Sequence, residues 1–138
     1  MVRAMPTTGF YGDCVALELG LRGTATMIVD EQETALVQGT GDAEVLSTPR
    51  LLRLMQQATM SALAGQLPEG VITAGLRVNL DHLHGSVVGA VVDAEAILSR
   101  IEGRRLIFEC EATSNSRVIG VGRIIRVQID EERFVSSL

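Results

Sequence analysis

The chain has 138 residues, enough for one domain with its own hydrophobic core and no need of disulfide or metal staples. It is 46% hydrophobic but only 3% aromatic and has no Trp, so the core falls to Val, Ile, Leu, Ala and Met. A formal charge of -5 argues against a protein whose work is neutralising nucleic-acid phosphates, and no run of about 18 apolar residues is present to cross a membrane.

In chain order, residues 1–13 read as a loose segment without the apolar stretch of a signal peptide. Cys14 and Cys110 have no metal-ligand spacing and read as two free thiols of a reducing, cytoplasmic setting. The run VALELGLRGTATMIVDEQETALV predicts two strands, broken at Gly23 and at the charged DEQE. The GTG at 39–41 is too short a glycine pattern for a phosphate-cradling loop.

A helix is predicted over about 49–64, with Thr48 as its N-cap, Pro49 in the first turn and Gly65 as the left-handed stop. Leu51, Leu52, Met55, Ala58, Ala62 and Leu63 recur at helical spacing and form its apolar stripe. Four strand-like runs follow: VITAGLRVNLDHL, GAVVDAEAILSRI, RRLIFECEATS and RVIGVGRIIRVQID. The short breaks at 102–103 and 114–116 suit antiparallel hairpins. The order of two strands, one long helix and four strands predicts an α+β domain with the helix against one face of a curved antiparallel sheet. A single helix leaves edges and part of a face uncovered, which predicts a homodimer with its site near the shared boundary.

His82 ends the alternating series Leu76, Val78, Leu80, so a histidine stands on the apolar side of a strand where core gives way to a cavity. His84, past the turn-prone break, faces solvent. Thr48 is either a cap alone or a hydroxyl beside free helix amides, where a carbonyl oxygen or an anion is stabilised. Gln56 lies close to the apolar stripe and is placed to face the sheet, with Gln57 outward. Arg126, late in RIIRVQI, needs a carboxylate, a phosphate or water at the sheet rim.

Four segments, GDAEVLSTPRLLRLMQQA, TAGLRVNLDHLHGSVVGA, IEGRRLIFECEA and VIGVGRIIRVQIDEERF, with five residues between HL and Gly89, carry a resemblance. Over about residues 20–134 the chain resembles the hotdog-fold acyl-CoA thioesterases, and among them the fluoroacetyl-CoA thioesterase group. The resemblance implies a hotdog fold, in which a long central helix is wrapped by a curved antiparallel sheet of five to six strands. It also implies a single domain over 1–138, an acyl-CoA substrate, no cofactor or metal, and a homodimer, or a tetramer, with the site between subunits.

By the same resemblance Thr48 and His82 match catalytic residues, Gly75 matches a glycine lining the acyl pocket, and Arg126 matches an arginine near the substrate. Gln56 stands where that group places a catalytic glutamate, and the Pro-Thr-Pro type of run after the histidine is replaced by HGSVV. A neutral amide orients water or thioester but cannot act as a base. Two readings follow: a thioester hydrolase, or a hotdog protein that binds an acyl-CoA or small apolar ligand without turnover. A dehydratase on the same fold lacks its histidine-acid motif here. The pocket is expected to be lined by Leu, Val, Met and Ala.

Overall fold

The computed structural model describes residues 17–138. The segment 1–13 and Cys14 lie outside them. The elements run β1 (Arg22–Ile28), a 3-10 turn (Glu31–Glu33), α1 (Ala35–Gln38), α2 (Thr48–Leu63), β2 (Val71–His82), β3 (Val91–Glu102), β4 (Arg105–Ser114), β5 (Arg117–Asp130) and α3 (Glu131–Ser136).

The five strands form one antiparallel sheet in the order β1-β3-β4-β5-β2. Among the described residues the sixth strand expected before Gly23 does not form, because residues 17–21 turn into β1 and Gly23 lies inside that strand. Gly23 is required for packing: a Cβ there would stand 2.2 Å from the Ala58 carbonyl oxygen and the Ala62 nitrogen of α2. The expected turn residues serve as read. Gly65 has φ 73°, Gly103 has φ 62°, and Asn115 and Ser116 at 51° and 61° make the tight β4–β5 hairpin.

Helix α2 buries Leu51, Leu54, Met55, Ala58, Ala62 and Leu63 against Val92, Ala94, Ala96, Leu98, Leu106 and Phe108 of the inner sheet face. Each fully buried large side chain contributes about 1.5–3 kcal/mol. The stripe differs from expectation at Leu52, which is half-buried, and at Thr59, which is buried with its hydroxyl donating to the Gln56 carbonyl at 2.6 Å.

Strand β2 carries a bulge. Gly75 pairs with Arg126 and Arg77 with Ile125, so Leu76 is an extra residue. It therefore leaves the apolar series in which it was expected and is 48% exposed, while Val78, Leu80 and His82 stay half-buried on the inner side. The bulge lets Gly75 share their face although its position in the chain is odd.

Candidate active site

Helix α2 begins one residue earlier than expected, and its cap is Ser47. The Ser47 hydroxyl accepts from the Arg50 amide at 3.2 Å and donates to Gln38 Oε1 at 2.7 Å. Ser47 and Thr48 are both capable caps, and placing Pro49 in the first turn does not choose between them. The consequence is chemical: Thr48 is freed from capping.

The segment before α2 is pinned from both sides. Glu33 accepts the Ser47 amide on its carbonyl at 2.9 Å, and its carboxylate pairs with Arg50 Nε at 2.5 Å. On the other side the Leu46 amide donates to the Ser86 carbonyl at 2.8 Å, and Val45 bridges to Val87. The helix can lie close over the end of β5 because position 120 is glycine, where a Cβ would meet Leu51 Cδ2 at 2.8 Å. Gly120 pairs with His82, so this close approach brings the start of α2 to the histidine.

Thr48 Oγ1 and His82 Nδ1 stand 2.8 Å apart. Nε2 of the same ring is buried and has no hydrogen-bond partner. Burial lowers the His82 pKa below its ordinary 6.5, against a smaller opposing effect of the His84 backbone. The shift favours the neutral ring. Both residues border an opening of about 260 Å³ with Ala35, Val45, Leu46 and Leu83. His84, also at its rim, is exposed, as is Gln57.

Gln56, Gly75 and Arg126 form a second group. A Cβ on Gly75 would lie 3.4 Å from Gln56 Nε2 and 4.0 Å from Arg126 Nη1. Arg126 is only 7% exposed; its Nε donates to Thr73 Oγ1 at 2.9 Å and its Nη2 to the Thr73 carbonyl at 3.2 Å. Burial lowers its pKa, but a guanidinium stays charged. Gln128 and Thr59 are buried polar residues too. This end of the inner face is thus more polar than the expected lining of Leu, Val, Met and Ala.

Within one chain the two groups are apart. Eight helical residues separate Thr48 from Gln56, about 12 Å at the helical rise, and seven strand residues separate His82 from Gly75, about 20 Å at the rise of a strand. Sequence reasoning missed Ser47, the Glu33–Arg50 pin and Thr73, whose roles depend on contacts distant in the chain. Among the described residues no three His, Cys, Asp or Glu side chains converge as metal ligands. Cys110 is a buried thiol pushed up to about 12, first by burial and then by Glu109.

The family model of the fluoroacetyl-CoA-specific thioesterase matches residues 29–132. The chain belongs to this family. A search of curated proteins by sequence gave no match. Among solved structures, the fluoroacetyl-CoA thioesterase FlK is 26% identical with a TM-score of 0.80, covering 88% of this chain and 95% of that one.

A hot-dog-like protein from Thermanaerovibrio acidaminovorans is 23% identical with a TM-score of 0.81, covering 88% of this chain and 90% of its own. A thioesterase-superfamily member from Thermus thermophilus is 24% identical with a TM-score of 0.80, covering 86% and 88%. These likenesses show the hotdog fold, with the sheet of five strands described above. No helix among the described residues is long and apolar enough to cross a membrane.

Proposed function

We propose that this family member is an acyl-CoA thioesterase, hydrolysing a thioester to a free acid and the CoA thiol. The observation that carries the reading is the 2.8 Å contact between Thr48 and His82 beside the N-terminus of α2. With Nδ1–H donating to Thr48, Nε2 presents its lone pair to a water. That water loses a proton to Nε2 as its oxygen bonds to the thioester carbon. The Thr48 hydroxyl and the positive end of α2 stabilise the oxyanion, and the imidazolium returns the proton to sulfur as the C–S bond breaks.

Gln56 orients the substrate or water through its amide, and Gly75 and Arg126 hold the acyl end. The distance between the two groups is met in a homodimer. Strand β2 is a sheet edge with its outer side unpaired, and Leu76 and Leu83 beside it are 48% and 51% exposed. Joining two copies antiparallel along this edge brings the His82 end of one β2 towards the Gly75 end of the other copy's β2. The reading is therefore of a cytoplasmic, single-domain subunit whose sites are shared between two copies.

The test is release of free thiol from a panel of acyl-CoAs, fluoroacetyl-CoA included, by the wild type and by His82→Ala. Equal rates remove His82 from the chemistry; no release from any thioester rejects the enzyme. A second reading, binding without turnover, draws on one observation. Gln56 is neutral, and among the described residues no carboxylate pairs with His82. Calorimetric binding of an acyl-CoA with no thiol release supports it.

A further inference from the structure

The inner face of the sheet is apolar over most of its area and cationic at one place. Arg126, 7% exposed, uses two of the five N–H donors of a guanidinium on Thr73. Its immediate surroundings offer neutral groups: Thr73, Gly75 and Gln56. The ion pairs among the described residues join Arg22 to Glu95, Arg50 to Glu33, Arg100 to Glu102 and Arg123 to Glu109, and none includes Arg126. A cation taken this far out of water without a counter-charge is costly, and an anion delivered to it is correspondingly favoured.

Access to it is built in. Gly75 is exposed on β2, and the space a side chain would fill there touches both Gln56 Nε2 and Arg126 Nη1. Both atoms are hydrogen-bond donors. A guanidinium edge and an amide NH2 around one small gap match a carboxylate, whose two oxygens accept from such a fork. They match the end of a saturated chain poorly, since an alkyl group there leaves the charge unpaired. The neutral side chain at position 56 matters as much as the arginine: a carboxylate there would neutralise Arg126 from within the protein and repel an anionic ligand.

Resting on the thioesterase reading above, we propose that the Gln56–Gly75–Arg126 pocket receives a carboxylate at the far end of the acyl group, so that the preferred substrates are carboxyacyl-CoAs such as malonyl- or succinyl-CoA. The acid product is then a dicarboxylate.

The experiment compares kcat/KM for malonyl-CoA with that for isovaleryl-CoA, which has the same shape with two methyls in place of the carboxylate oxygens. Succinyl-CoA is compared with 4-methylpentanoyl-CoA in the same way. The anionic member of each pair is favoured by about 10- to 100-fold, the range of a hydrogen bond to a charged group. Arg126→Met and Gln56→Glu each bring the ratio towards one; the second keeps the size of the side chain and so guards against an effect of misfolding.

Hydrolysis with a wild-type ratio at or below one overturns the carboxylate pocket and leaves the thioesterase reading standing. If no thioester is hydrolysed, the thioesterase reading fails, and calorimetry with malonyl- and isovaleryl-CoA decides the pocket. Tighter malonyl-CoA binding that Gln56→Glu abolishes supports it, and equal affinities overturn it.

Discussion

The hydroxyl of Thr48 and Nδ1 of His82 are 2.8 Å apart, although the two residues are 34 positions apart in the chain. Thr48 heads the helix and His82 ends the edge strand, so the contact exists only once helix and sheet are packed. It orients the imidazole by one nitrogen and leaves the other without a protein partner. Fixed orientation with one free lone pair is what a general base requires.

Because Ser47 rather than Thr48 caps α2, capping and chemistry separate by mutation. Ser47→Ala costs about 1 kcal/mol of stability, the usual worth of a cap, seen as a lower denaturation midpoint. Thr48→Val leaves that midpoint nearly unchanged and lowers thioester hydrolysis by about 100-fold, as loss of one oxyanion donor does. Equal loss of stability in both variants contradicts the assignment of the cap.

The lowered His82 pKa sets a pH window with a definite sign. Below pH 6.5 the ring protonates in the unfolded chain before it does in the folded one, so stability declines from about pH 6.5 downward and levels off once the folded ring is protonated too. For activity the same shift keeps the base available in mild acid. The acid limb of kcat/KM is expected to have its midpoint below 6.5; a midpoint at or above that value contradicts a His82 base held neutral by burial.

If each site draws His82 from one copy and Arg126 from the other, two variants impaired towards malonyl-CoA complement one another. Mixing His82→Ala with Arg126→Met chains under exchanging conditions gives mixed dimers with one intact site, and about a quarter of wild-type activity returns in a symmetric two-fold assembly. No recovery, with exchange verified by mass spectrometry, places all site residues of each centre in a single chain.

Gly23 separates packing from turn formation. Gly23→Ala drives a methyl into the backbone of α2 at Ala58 and Ala62, where no side chain can move aside. The variant loses about 3 kcal/mol or more by chemical denaturation. No loss, or the gain of about 0.4–1 kcal/mol that the lower flexibility of the unfolded chain alone would give, argues against that close approach.

The helix, the four later strands and the position of His82 were legible because each is written in local periodicity or turn chemistry. The start of the first strand is not legible for a physical reason: Gly23 looks the same in sequence whether it ends a strand or admits a helix to its surface. Parity placed His82 on the inner side, yet the same count placed Leu76 there, since a bulge leaves no mark in composition. Arg126 was recognised as needing a partner. That Thr73 takes two of its hydrogen bonds, across the β2–β5 pairing, follows from a register the sequence does not state.

The extra residue at Leu76 also determines how the two ends of β2 tolerate change. Gly75 and His82 are an odd number of residues apart, and in an unbroken strand they would point in opposite directions. Deleting Leu76 would therefore act less like shortening the strand than like turning half of it over: either the glycine end or the histidine end would present its other side to the helix. Length variation at this position is a change of handedness in the site, and a one-residue deletion here does more damage than many substitutions.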